Sequence, residues 1–127
     1  MPDFPTQARA FADEWIAAWN AHDLDRILSH YAQDVVFLSP IAEKRVGHGR
    51  VIGHDALRAY WGPAIGPGSR LRFELVEVLV GFEALTIVYD ADLPAGLGRR
   101  RAAETFELGR DGRVVRSMAC YAQQASP

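Results

Sequence analysis

Two periodicities divide the chain. Between Thr6 and Asn20 the apolar residues Ala8, Phe11, Ala12, Trp15, Ile16 and Trp19 fall on one broad helical stripe, with Asp3 or Thr6 as candidate cap. Asp23 is the candidate cap of a second helix, in which Leu24, Ile27, Leu28 and Tyr31 repeat with helical spacing. Helices are therefore predicted over 6–20 and about 23–32. Val35, Val36, Phe37 and Leu38 read as a strand that Pro40 ends. Residues 41–53, with Gly47, Gly49 and Gly53, read as a loop with a short edge strand near Val51. A third helix, about His54 to Ala64, carries Leu57, Tyr60, Trp61 and Ala64 on one stripe; Gly62-Pro63 weakens its last turn and Gly66-Pro67-Gly68 ends it.

From Leu71 the period changes to two. Leu71, Phe73 and Leu75 alternate in one phase, and Val76, Val78 and Val80 in the other, which predicts a β-bulge near residues 75 and 76. Leu85, Ile87 and Tyr89 alternate next, followed by a loop from Asp92 to Gly98. Ala102, Glu104, Phe106 and Leu108 share one face of a further strand, Asp111-Gly112 is a hairpin turn, and Val115, Ser117, Ala119 and Tyr121 share a face of the last strand. The tail from Gln123 is polar and expected to fray. Helices first and strands afterwards is the α+β order, in which a long bent antiparallel sheet wraps helices on its concave face.

Composition narrows the partners. The 127 residues suit one domain over 1–127, and a chain of this size buries roughly two-thirds of its unfolded surface without a staple. The net charge of -2 argues against nucleic acid, and the basic run Arg99, Arg100 and Arg101 reads as a solvated loop flank. One cysteine, Cys120, excludes an internal disulfide and reads as a small buried hydrophobe. No apolar run approaches a membrane span and no secretion signal is visible, so the expected location is the cytoplasm.

The segments FADEWIAAWNAHDLDRILSHYAQDVVFLSP, GHDALRAYW and AETFELGRDGRVVRSMACYA together resemble, in order and spacing, the nuclear transport factor 2-like (SnoaL-like) superfamily. The resemblance implies a cone-shaped α+β barrel, three N-terminal helices packed on a strongly curved, mostly antiparallel sheet. It also implies a mostly apolar cavity and a homodimer built on the sheet's outer face. Its members include ketosteroid isomerases, polyketide cyclases, dehydratases, epoxide hydrolases and non-catalytic binding or assembly domains, so fold alone does not assign function. In the isomerases a first-helix tyrosine donates to the oxyanion, an aspartate precedes the matching proline, and a protonated carboxylic acid lies on a late strand. Trp15, Ser39 and Glu104 stand at those points here.

Glu104 is the candidate for chemistry without that resemblance, because it shares a face with apolar residues. A carboxylate there costs several kcal/mol unless paired or neutral, and desolvation would ready it for acid–base work. Two other readings stay open: an ion pair with Arg72, Arg101 or Arg116, and a face exposed to water. Trp15, Trp19, Phe37, Tyr60, Trp61 and Tyr89, with Phe106, Ser39 and Ser117, are candidate lining of the inner faces; aromatic stripes also simply fill cores. Tyr31 and Tyr121 stand out because a buried phenol needs a partner, either a ligand oxygen or a backbone carbonyl. The expected ligand is a small, largely apolar molecule. His22, His30, His48 and His54 show no helical i, i+4 pair, and no phosphate-binding glycine loop opens a helix, so neither a metal nor a cofactor is expected; His30 borders a helical stripe and is placed to reach a cavity.

Overall fold

The structure, a computed structural model, describes residues 4–93 and 96–123. Helix α1 (Phe4–Asn20) is followed by α2 (Leu24–Leu28), strand β1 (Tyr31–Leu38), helix α3 (Pro40–Val46), strand β2 (Arg50–Ile52) and helix α4 (His54–Trp61), which runs into a 3-10 turn over Gly62–Ile65. Strands β3 (Arg72–Gly81), β4 (Ala84–Leu93), β5 (Gly98–Leu108) and β6 (Val114–Tyr121) complete the chain. They form one curved, unclosed sheet in the order β2-β1-β6-β5-β4-β3. Every neighbouring pair is antiparallel except β1 and β6, which run parallel. No helix among the described residues is long and apolar enough to cross a membrane.

The change from helical to strand periodicity at Leu71 is where the sheet's long meander begins, and the bulge lies between Leu75 and Glu77 as the phase switch predicts. Other expectations are corrected. The second helix stops at Leu28 and Tyr31 opens β1, in register with Val114. Spacing alone could not separate the two, because Leu28 and Tyr31 suit either a fourth helical position or the first inward residue of a strand.

The stretch read as a loop contains α3. Ser39 caps it, its hydroxyl accepting from the amides of Ile41 at 3.1 Å and Ala42 at 3.3 Å, with Pro40 in the first turn. Gly47 closes it with φ of 87°, a left-handed conformation that a side chain would strain.

In β6 a register shift near the start puts Val114 inside and leaves Val115 exposed, so Val115 does not share the face of Ser117 and Ala119. Cys120 points the opposite way from its buried neighbour Ala119 and is exposed. The Arg99–Arg101 run is part of β5 rather than a loop flank. Arg99 bridges Asp92 and Glu74, and Arg101 binds Asp90 at 2.7 Å. The proposed cap Asp3, the loop residues Pro94 and Ala95, and the tail beyond Gln123 lie outside the described residues.

The concave face holds the core. Trp15 of α1 stacks on Phe73 at 5.4 Å and meets Tyr89 and Phe106 edge-on. Asn20 ties the end of α1 to β3, its side chain donating to the Phe73 carbonyl at 2.9 Å and accepting from the Phe73 amide at 2.7 Å. This clamp fixes the helix that carries Trp15 and Trp19 against the sheet.

Candidate functional site

Strand alternation places Glu104 on the inner face of β5, 3% exposed, between Ile87 of β4 and Ala119 of β6 in the register of the sheet. Three elements then meet at its carboxyl group. Trp15 Nε1 of α1 donates to the Tyr31 hydroxyl at 3.0 Å, and that hydroxyl donates to Glu104 Oε2 at 2.9 Å. The chain runs from indole to phenol to carboxyl, so Tyr31 is both acceptor and donor and its orientation is determined.

Glu104 takes part in none of the described ion pairs. Arg101 is held by Asp90, Arg116 by Glu107 at 3.4 Å, and Arg72 is exposed. Burial without a cation pushes the carboxyl up to about 7, against the smaller opposing effects of the Tyr31 hydrogen bond and of nearby Ser117. The ion-pair and surface readings of Glu104 are therefore both set aside. Burial also raises the hydroxyls of Tyr31, Tyr89 and Tyr121, and the charge of Glu104 adds to the rise in each. Ser117 Oγ and Trp19 Nε1 are buried without a hydrogen-bond partner among the described residues. A hydroxyl beside a carboxyl that gains a proton near neutrality is a ready acceptor for that proton.

An inner cavity of about 60 Å³ opens above this chain. Of the residues expected to line a cavity, Trp15, Trp19, Phe37, Tyr60, Trp61, Tyr89, Glu104 and Tyr121 border it. Tyr31, Phe106 and Ser117 lie in the packing behind it, and Ser39 acts as the cap of α3. Most of the aromatic interior is thus filled by rings against rings. His30 does not reach the cavity; its Nε2 lies 3.0 Å from Glu14, which also holds Arg26. Sequence reasoning missed Ile41 and Arg45, because the segment carrying them was read as loop, and missed Leu93 and Leu97 at the cavity's edge. The signal for the first two was present in Ser39-Pro40 and Gly47, a cap, a first-turn proline and a terminating glycine. Among the described residues no group of three or more His, Cys, Asp and Glu is placed to hold a metal ion.

The profile of the SnoaL-like domain family matches residues 12–117. The chain belongs to the SnoaL-like family. A crystallised SnoaL-like protein of unknown function from Burkholderia thailandensis is 40% identical, with a TM-score of 0.86 over 96% of this chain and 99% of that one. An epoxide hydrolase/cyclase-like enzyme, SalBIII, with a role in pyran ring formation in the polyether salinomycin, matches at 15% identity and TM-score 0.76, covering 94% of each chain. A putative ketosteroid isomerase from Kribbella flavida matches at 19% identity and TM-score 0.73, over 96% of this chain and 82% of that one. The last two show a shared fold. No curated protein matches the chain. Within the SnoaL-like frame, this chain carries a late-strand carboxylic acid buried beside a cavity.

Proposed function

We propose that this SnoaL-like protein binds a small, largely apolar molecule and moves a proton on it without a cofactor, with Glu104 as the acid or base. The observation that carries the reading is a buried carboxyl with no counter-cation, hydrogen-bonded through Tyr31 to Trp15 and bordering a cavity. A group that ionises near neutrality serves as either acid or base at working pH. Tyr31, whose hydroxyl is committed to Trp15 and Glu104, is a positioning residue. Tyr121 borders the cavity and is the phenol that faces a ligand oxygen. A cavity of this size takes the reacting end of a molecule rather than a whole fused-ring skeleton. Isomerase, cyclase and dehydratase steps all need such a proton transfer.

The test uses a small planar proton donor, 5-nitrobenzisoxazole, whose ring opens when a base removes its C–H proton. The wild-type protein should accelerate the opening, with a rate that rises through pH 7, and Glu104→Gln should return it to the buffer rate. Equal rates for the two proteins would remove Glu104 from the chemistry.

A second reading is a non-catalytic dimeric ligand-binding or assembly domain of the same family. Exposed apolar side chains favour it: Leu79 on β3 and Met118 on β6 share the outer face of the sheet in register with Thr86 and Thr105, and Val115 is exposed at the start of β6. A homodimer through this outer face would bury roughly 1,200–2,000 Å² in total. Sedimentation showing only monomer at tens of micromolar counts against it. The single exposed cysteine suits a reducing compartment, and we place the protein in the cytoplasm.

A further inference from the structure

The inner cavity does not end at the protein surface. A second recess of about 520 Å³ adjoins it, and Ile41, Arg45, Leu93, Leu97 and Tyr121 border both. This outer recess has the volume of an ordinary small-molecule site, which the inner one lacks. Its polar lining is one-sided. Lys44, Arg45 and Arg100 border it, and among the described residues no acidic side chain does.

Among the described residues these three charges have no carboxylate partner. Lys44 and Arg45 take part in none of the described ion pairs, which contrasts with Arg99 and Arg101 a few residues away in sequence from Arg100. Arg100 itself is held by carbonyls alone, those of Leu97 at 3.3 Å, Ala122 at 3.0 Å and Gln123 at 2.8 Å. Carbonyls orient a guanidinium without neutralising it, so its charge stays fixed at the rim. The field of Arg45 already reaches the inner cavity, where it works against the burial that raises Tyr60.

The two ends of the combined space therefore differ in what they accept. At the inner end Glu104 is buried among apolar side chains, and a ligand anion placed beside it would be desolvated next to a second acid. The inner end also offers the indole N–H of Trp19, buried without an acceptor among the described residues. An uncharged oxygen satisfies that donor; an apolar end leaves it stranded.

Resting on the proposed small-molecule reading, we propose that the ligand is an amphipathic organic anion. Its carboxylate lies against Lys44, Arg45 and Arg100 in the outer recess, and its uncharged, oxygen-bearing end enters the inner cavity toward Trp19 and Glu104. The alternative account of Lys44 and Arg45 is that they complement the C-terminal end of α3, where both sit. That account predicts an effect on stability and none on ligand choice.

The experiment holds the ligand's ring and hydroxyl constant and changes the charge of the group at its other end. 4-Hydroxyphenylacetate, its methyl ester and tyramine are titrated into the full chain at pH 7.5, by calorimetry and by tryptophan fluorescence; all three tryptophans border the inner cavity. The acid should bind about tenfold more tightly than the ester, about 1.4 kcal/mol, and tyramine more weakly than either. The double variant Lys44→Met, Arg45→Met, with Arg100 still in place, should reduce the acid-over-ester preference at least about threefold, and 0.5 M salt should shrink the preference in the wild type. Both residues are exposed, so the variant leaves the core alone. Ester binding with no preference for the acid, or a preference that the double variant leaves undiminished, overturns the anion assignment and leaves the binding site standing. No binding of any of the three up to 10 mM overturns both.

Discussion

Replacing Glu104 with Gln should make the protein more stable at pH 8 and up to about 1 kcal/mol less stable at pH 4.5. In the folded protein the carboxyl keeps its proton up to about 7, whereas in the unfolded chain it loses it near its ordinary value of 4.5. Between those values unfolding releases a proton, so the folded state binds more protons and stability falls as pH rises. The contribution is fully present below 4.5 and is lost by the time the pH has passed the folded value. At 1.36 kcal/mol per pH unit the window corresponds to about 3 kcal/mol. Gln keeps the acceptor for the Tyr31 hydroxyl but does not ionise, so its stability curve lacks this fall. Its extra N–H donors have Ser117 Oγ as the nearby unpaired acceptor, and a mismatch there costs about 1 kcal/mol at every pH. Glu14, held down to about 2 chiefly by its hydrogen bond to Arg26, acts with the opposite sign. Its stabilisation is present above 4.5 and lost as the pH falls toward 2, and it is common to both proteins, so it cancels in the difference. Urea denaturation of the pair at half-unit steps from pH 4.5 to 8.5 measures the difference directly. A wild-type-minus-variant gap that stays constant across this range would refute a raised carboxyl, and a constant gap with the variant a few kcal/mol less stable would indicate a cationic partner for Glu104.

Three further substitutions probe the surroundings. Tyr31→Phe strands Trp15 Nε1 and removes the donor to Glu104. It should cost about 1–3 kcal/mol in denaturant and move the Glu104 transition to higher pH, because the Tyr31 hydrogen bond opposes the rise. Trp15→Ala should cost about 3–5 kcal/mol, since its ring packs against Trp19, Phe73, Tyr89 and Phe106; a smaller loss would show that the cavity relaxes around it. Ser39→Ala removes the cap of α3 and should cost about 0.5–2 kcal/mol, read by denaturation, together with weaker ligand binding because α3 carries Ile41 and Arg45.

What could be read ahead of the structure follows from the range of the forces involved. The inward face of Glu104 was legible because strand alternation is local: Ala102, Glu104 and Phe106 alternate whatever surrounds them. The bulge near Leu75 was legible for the same reason. The parallel pairing of β1 with β6 was not, and it decides that Tyr31 is a strand residue. The hydrogen-bonded chain through Trp15, Tyr31 and Glu104 joins three elements, and no local pattern in any of them carries it. Val115 was misplaced because a register shift turns the alternation over at a point the sequence does not mark. The pairing of Arg99 and Arg101 with acids on neighbouring strands, against the carbonyl cage of Arg100, likewise depends on register.

The position of β6 sets a timetable for the molecule. Joining β1 and β2 to the β3–β5 meander, it is the strand through which the two halves of the sheet are connected, and it follows all the other described strands in the chain. Until it emerges, β1 has only the short β2 beside it, and the Tyr31–Glu104 contact must close a loop of 73 residues without a neighbouring strand to hold it. The β3–β4–β5 hairpins pair locally, yet the flank of Glu104 that Ala119 covers stays open until β6 docks. Docking of β6 removes water from that flank, so the raised pKa of the carboxyl depends on it. A chain stopped before Val114 would therefore retain the residues of the candidate site while lacking the environment that gives them their chemistry.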